Sequence, residues 1–299
     1  MRLLANPALT LNPSPDRHIV ARRGTSTALV SPSPSGAFGR RGWGMRAEGS
    51  SIGSLIRAGI HIPARSAYND RSQHTIRKDD PLDITWYGLS CFRLVERSQT
   101  TVVTDPYSDH IGLPTPKLRG DIVTVSHDSA GHNAVDVVKG YDYALSTPGE
   151  YEFGGVFVTG IALHHVNEAE GIARYNVAYL IKYPNNLSVL HLGDLSHVPD
   201  QSVIEAFGEV NVALVPVGGG NTLKPAMAAE VIAQIEPNYI VPMHYAQAGL
   251  GIELEPVDKF LKAMGVSRVN EEETLRVNVT GLPEQPEVVV LTPNVSDDA

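Results

Sequence analysis

The chain has 299 residues, 42% of them hydrophobic, with one cysteine and a formal net charge of −9. Residues 1–80 carry 12 Lys and Arg against 5 Asp and Glu, which is +7; residues 81–299 carry 12 against 28, which is −16. The composition suits a globular core. It excludes an intrachain disulfide and a cysteine-cluster zinc site, and it sets an acidic body against the broad attraction that nucleic-acid binding relies on. No run approaches the ~18 apolar residues of a membrane helix.

Residues 1–80 are rich in Arg, Ser, Pro and Gly, with Arg22-Arg23, Arg40-Arg41 and Ser31-Pro32-Ser33-Pro34 as examples. Their apolar residues keep no sustained period, so they cannot offset the entropy of ordering. They read as a disordered basic extension, with a short helix near Ser51–Arg57. A transit peptide, a basic arm, and an extension upstream of a start at Met45 or later all fit this composition.

Residues 81–299 read as one domain. Short β-branched runs predict strands at Ile84–Tyr87, Phe92–Glu96, Thr100–Thr104, Ile122–Val125, Tyr143–Ser146 and Val156–Ala162. Further strands are predicted at Val177–Tyr183, Leu187–His191, Val212–Val215, Tyr239–Val241, Leu275–Val279 and Val288–Leu291. Helices are expected at Ala134–Lys139 after an Asn133 cap, Gln201–Phe207 after Asp200, Lys224–Ile235, and Pro256–Met264 before Gly265. Strands that first pair directly and later alternate with helices suggest two sheets covered by helices.

Of the 11 histidines, several follow predicted strands, where a rigid scaffold holds functional loops. They fall in Ser126-His127-Asp128-Ser129-Ala130-Gly131-His132, in His164-His165, in His191-Leu192-Gly193-Asp194 and in Pro242-Met243-His244-Tyr245. Imidazole and carboxylate donors brought together from distant loops suit zinc, manganese or iron. Ser90, Cys91 and Ser126 form no nucleophile elbow. Gly218-Gly219-Gly220 offers close backbone approach to a substrate, without the G-K-S/T of a phosphate loop. The lone cysteine fits a reducing, cytoplasmic setting.

Trp86-Tyr87-Gly88-Leu89-Ser90-Cys91-Phe92, Thr104-Asp105-Pro106, Pro148-Gly149-Glu150-Tyr151-Glu152, His191-Leu192-Gly193-Asp194-Leu195, Pro216-Val217-Gly218-Gly219 and Pro242-Met243-His244-Tyr245 occur in the order of a known family. The body, from about residue 83 to 291, resembles the metallo-β-lactamase superfamily, and within it the branch of L-ascorbate-6-phosphate lactonase-like zinc hydrolases. The resemblance implies a four-layered αββα sandwich with a metal site along one edge of the two sheets.

The family's T-H-x-H-x-D-H element is altered here. Ser129 stands for its second histidine, Gly131 for its aspartate, and Leu89 for the histidine of the opening element. The ligands that the resemblance implies are His127 and His165 on one metal, His132 and His244 on the other, and Asp194 as bridge. His165 is chosen over His164 because the family's histidine lies five residues after the glycine matching Gly160. Asp194 and His132 are the implied catalytic residues, with one or two zinc ions and a metal-bound hydroxide as the attacking species. Asp105 reads either as a partner that orients a ligand histidine or as a plain turn residue; Asp128 is a substitute ligand at most. His197 and Asn176 stand in family-like positions where either could face the pocket, and His197 reads first as a capping or surface residue.

The function implied is hydrolysis of a small ester, lactone or phosphoester. A catalytically degenerate relative kept for binding or assembly is the alternative, and a nucleic-acid phosphodiesterase is disfavoured by the −16 body. Neither a membrane nor a nucleic-acid partner is expected, and a homo-oligomer is compatible with the sequence.

Overall fold

A computed structural model describes residues 19–21, 80–97, 99–167 and 172–294, without the side chains of 19–21, 164–167, 172–174 and 270. The rest of residues 1–80, including the expected helix at Ser51–Arg57, lies outside the described residues.

In chain order the first strands are β1 (Ile19–Ala21), β2 (Leu82–Gly88), β3 (Cys91–Glu96), β4 (Val102–Thr104), β5 (Leu118–Arg119), β6 (Ile122–Thr124), β7 (Val138–Lys139) and β8 (Tyr143–Leu145). Then follow β9 (Gly149–Phe153), β10 (Val156–Asn167), β11 (Ile172–Lys182), β12 (Ser188–His191), β13 (Val212–Pro216), β14 (Tyr239–Met243), β15 (Asn270–Glu272), β16 (Thr274–Val277) and β17 (Glu287–Leu291). Every strand expected from the sequence overlaps one of these. The α-helices of the described residues are α1 (Gln201–Phe207), α2 (Pro225–Ile235) and α3 (Val257–Ala263).

Two sheets stack. One runs β1-β8-β6-β4-β3-β2-β16 and the other β15-β17-β14-β13-β12-β11-β10-β9. Side-chain alternation decides what each face of the first sheet covers. Ile84, Phe92, Leu94, Val102 and Ile122 join the large core between the sheets. Their neighbours Cys91, Val103 and Val123 face the other way, into a smaller core with Tyr107, Ile111 and Leu118. Strands β12 and β13 are buried along their whole length, as parallel strands covered on both faces must be. Phe207, Val231, Ile232 and Phe260 from the three helices close the large core. No helix of the described residues is long and apolar enough to cross a membrane.

Among the described residues, the outer face of the first sheet is covered without α-helices. The helix expected at Ala134–Lys139 is instead a single 3-10 turn, Val135–Val137, running into β7. Three valines in four residues disfavour helix, and Val138 pairs with Leu118. The Asn133 side chain does not cap a helix; its amide donates to Asp128 Oδ1. Asp200 takes the N-cap position of α1 but makes no side-chain capping bond. The Pro148–Glu152 element is an edge strand, β9, whose Tyr151 and Phe153 are buried while Glu150 and Glu152 are exposed.

Parallel strands from both sheets point their C-terminal ends at one edge. There β4 runs into Asp105, β6 into Ser126 and His127, β12 into Asp194, and β14 into His244. Carboxyl ends of parallel strands are where α/β folds place ligands.

Candidate metal centre

Asp194 stands among three imidazoles. Its Oδ1 is 3.4 Å from Nε2 of His132 and 3.4 Å from Nε2 of His244, and its Oδ2 is 3.6 Å from Nε2 of His127. The donor atoms of His127, His132 and Asp194 all lie within 4.8 Å of one another. His132 and His244 are 3% and 5% exposed at the side chain, Asp194 14% and His127 22%. The cluster is therefore deepest at His132 and His244 and opens at His127.

Local backbone geometry makes the convergence. Of the described non-glycine residues with positive φ, Leu89 (48°), Asp105 (39°) and His244 (52°) sit at this edge. Strained conformations of this kind concentrate at functional sites. Gly193 (φ 56°) lets the Asp194 loop press inward, because a Cβ there would lie 2.3 Å from Asn176 Oδ1 and 2.5 Å from Ser126 Cβ. Asn176 Oδ1 accepts the Asp194 N–H at 3.0 Å while its amide donates to Leu192 O at 2.8 Å.

Asp105 lies beneath the histidines, fully buried. Its Oδ1 accepts the Ser126 N–H at 2.7 Å, and its Oδ2 accepts the Ser126 hydroxyl at 2.6 Å and His132 Nδ1 at 2.9 Å. The hydroxyl proton of Ser126 is thereby committed to Asp105, so Ser126 Oγ accepts from His127 Nδ1 at 3.1 Å. Both Nδ1 atoms carry protons, and in the neutral rings both Nε2 lone pairs are left facing the Asp194 carboxylate. Among the described residues, Asp194 Oδ1 is buried with no hydrogen-bond partner. Lone pairs aimed at a carboxylate call for a cation between them. Nitrogen and oxygen ligands about 2.1 Å from one tetrahedral ion stand roughly 3.4 Å apart, the spacing that Asp194 Oδ1 keeps to two rings. The residues fit a metal.

The electrostatics agree. Burial would raise the Asp105 pKa, but His191 and the bonds from His132 and Ser126 hold it down to about 2. Burial would raise Asp194 as well, and the three imidazoles outweigh it, so its pKa is lowered. Burial lowers the pKa of His244 and of His127. His132 is the exception: burial pulls it down, but Asp194 and Asp105 together raise it.

Other candidates fall elsewhere. His191 is buried with both nitrogens engaged, Nε2 at 2.9 Å from Ser90 O and Nδ1 accepting the Gly193 N–H at 3.2 Å. Asp128 is exposed and bonded by Asn133. Gly218 admits no substrate: the close approach there is made by the chain itself, since a Cβ would lie 2.2 Å from His244 O. The side chain of His165 lies outside the described residues; its backbone pairs with Arg174, two places along from the Leu163–Asn176 pair. Sequence reasoning weighed Ser126 only as a nucleophile, and its place between a strand end and His127 was the available signal for its structural part. Gln247, which accepts the Leu89 N–H at 2.7 Å, carried no signal.

A cavity of about 360 Å³ opens on the cluster, lined by His127 and Asp194 but not by His132 or His244. Leu163 and Leu195 give it an apolar wall, Asn176, Ser196, His197 and Asn221 a polar one, and Tyr175 is 72% exposed beside it.

Comparison with known proteins identifies the fold family. The family described as the beta-lactamase superfamily domain matches residues 83–244. The crystal structure of a candidate Zn-dependent hydrolase of the metallo-β-lactamase superfamily from Thermotoga maritima is similar at 34% identity and TM-score 0.59, covering 70% of this chain and 98% of that one. A UPF0173 protein of Pyrococcus furiosus is 29% identical over 63% of this chain and 93% of its own length. A UPF0173 metal-dependent hydrolase of Methanoculleus marisnigri is 33% identical over 54% of this chain and 80% of its own. This chain belongs to the metallo-β-lactamase superfamily and has its α/β fold.

Proposed function

We propose that this chain is a metal-dependent hydrolase of a small ester, lactone or phosphoester. Zinc is the favoured ion, and manganese or iron suit the same donors. Asp194, His132 and His244 would hold the ion, with His127 on the cavity side and His165 as the further ligand that the family resemblance implies. The observation that carries the reading is Asp194 Oδ1, a buried oxygen without a hydrogen-bond partner among the described residues, 3.4 Å from two imidazole nitrogens. Relatives named metal-dependent hydrolases support it.

The chemistry that a divalent ion would supply there is a lowered pKa of nearby water, towards about 7, and polarisation of a carbonyl or phosphoryl group. The chain's own part is positional. Asp105 and Ser126 fix the tautomers of His132 and His127, and Asn176 fixes the backbone of Asp194. The lowered pKa of Asp194 keeps it ionised as a ligand and makes it a poor proton acceptor. Substrate enters from the His127 side, between the Leu163 and Leu195 wall and the polar groups of Asn176 and Asn221. A cavity of this size suits a small molecule.

Metal analysis of protein purified without chelator tests the reading. A bound transition metal, depleted in His244→Ala, is expected; less than about one tenth of an equivalent, unaltered by that substitution, would overturn it.

A second reading has its own observation. The hydrocarbon of Leu89 lies against Gly131, where the family resemblance puts a histidine and an aspartate. A degenerate relative, kept for binding, would show that loss. Wild-type protein that hydrolyses generic esters in a metal-dependent way excludes it.

A further inference from the structure

We infer that Gln247 is a positioning residue for His244: its side-chain oxygen holds the main chain of Leu89, and Leu89 in turn sets where the His244 imidazole stands. The inference rests on the metal-hydrolase reading above and adds a residue to the scaffold of that site.

His244 depends on its main chain for its place. The rings of His132 and His127 are oriented through Nδ1, by Asp105 and Ser126. No side chain of the described residues bonds His244 Nδ1, although that atom is buried. The main chain is held on both sides instead: the N–H donates to Leu89 O at 2.9 Å, and the carbonyl accepts the Gly218 N–H at 3.0 Å. With φ 52°, His244 is in a left-handed conformation that persists only where its surroundings over-determine it.

Leu89 is held in the same way. Strands β2 and β3 are joined through Leu89 and Ser90, between Gly88 and its partner Cys91. Leu89 has φ 48° at the first central position of a two-residue hairpin turn, where glycine, asparagine or aspartate is usual. A hairpin ladder uses neither the N–H nor the carbonyl of that position, so both are open to other partners. The carbonyl accepts from the His244 N–H and from Trp86 Nε1 at 3.1 Å. The N–H donates to Gln247 Oε1 at 2.7 Å. Leu89 is 1% exposed, so an N–H released from Gln247 would be left buried without that acceptor. Relaxation of Leu89 towards negative φ would then swing its carbonyl away from His244.

Gln247 is placed for this part. It lies just beyond His244 on the same loop, in a turn closed by the Leu250 N–H to Gln247 O at 3.2 Å. One loop therefore grips Leu89 from both sides, by the His244 N–H and by the Gln247 side chain. Gly88 gives the room: a Cβ there would lie 3.3 Å from Gln247 Nε2 and 3.1 Å from the Tyr107 hydroxyl.

The test separates the acceptor from the bulk of the side chain. Zn²⁺ affinity is measured by competition with a chromophoric chelator, and the visible spectrum of Co²⁺-loaded protein reports ligand geometry. Gln247→Leu removes the acceptor and keeps the bulk. Gln247→Ser, too short to reach Leu89, removes it without adding hydrocarbon. Gln247→Glu keeps an oxygen for the Leu89 N–H. Both removals are expected to weaken Zn²⁺ binding about tenfold and to shift the Co²⁺ bands, with circular dichroism unchanged, while Gln247→Glu keeps the wild-type bands. Wild-type affinity and bands in a folded removal variant overturn the inference, and so does a band shift in Gln247→Glu as large as that in Gln247→Leu. Either result leaves the hydrolase reading standing. A wild type that binds neither ion overturns both.

Discussion

A Cβ built on Gly131 lies 2.7 Å from Cδ2 of Leu89, so two positions forty-two residues apart share one volume. Both depart from the family pattern, and the contact makes them one change. A side chain at 131 alone must displace a buried leucine, and overpacking of that kind costs about 1–3 kcal/mol. Gly131→Ala is therefore expected to lower stability by that amount in the wild-type background and by much less with Leu89→Ala. A double-mutant cycle from urea melts checks it; additive effects would contradict the shared volume.

Gly193 is the hinge that lets Asp194 reach the histidines. With φ 56° and a would-be Cβ 2.3 Å from Asn176 Oδ1, Gly193→Ala meets backbone strain and collision together. A loss of about 2 kcal/mol or more is expected, with weaker metal binding because Asp194 shifts. Thermal melts and Zn²⁺ titration report the two effects separately.

Asp105 acts through His132. Asp105→Asn keeps the shape but removes the charge that holds the Nδ1 proton at 2.9 Å. Partners of this kind typically change metal affinity about 10–100-fold. Weaker Zn²⁺ binding within that range, with the fold intact by circular dichroism, is the expected outcome of a competitive chelator assay.

Far from this edge, Glu96 gives the fold a pH dependence. It is buried, and among the described residues its Oε2 has no hydrogen-bond partner. Burial, and then the charge of Asp80, raise its pKa from 4.5 to about 7. Between those values the folded chain keeps a proton that the unfolded chain has released. The carboxyl's contribution is fully present below pH 4.5 and is lost as pH rises towards 7. Glu96→Gln should flatten that loss, stabilising the protein at pH 8 by on the order of 1–3 kcal/mol and changing little at pH 4. Melting curves at the two pH values decide it.

The strands were legible because β-branched runs between turns leave few alternatives. Strands that escaped include the two-residue pair Leu118–Arg119 and Val138–Lys139 and the edge Asn270–Glu272, too short for any period to register, and Gly149–Phe153, which stands in the sequence as a family motif rather than as a strand. At 134–139 the Asn133 cap signal points to a helix, but three valines oppose it and the Asn133 amide bonds Asp128 instead. At the site, the segments that carry His127, His132, Asp194 and His244 stand out because each follows a strand, and the family resemblance picks these residues within them. Their mutual distances are not legible, since these depend on left-handed backbone at Leu89, Asp105 and His244, which no local pattern announces. The Leu89–Gly131 contact was invisible for the same reason. Each departure could be seen alone, but only packing shows that restoring one requires changing the other.

The central claim is that hydrolysis depends on an ion held around Asp194. The most direct measurement is initial-rate hydrolysis of a panel of simple esters, lactones and phosphoesters by protein as purified, after chelation, and after reloading with Zn²⁺, beside Asp194→Ala. The account predicts turnover of at least one class that chelation abolishes, that Zn²⁺ restores, and that Asp194→Ala lacks throughout. Turnover that survives chelation, or that Asp194→Ala retains, would contradict it.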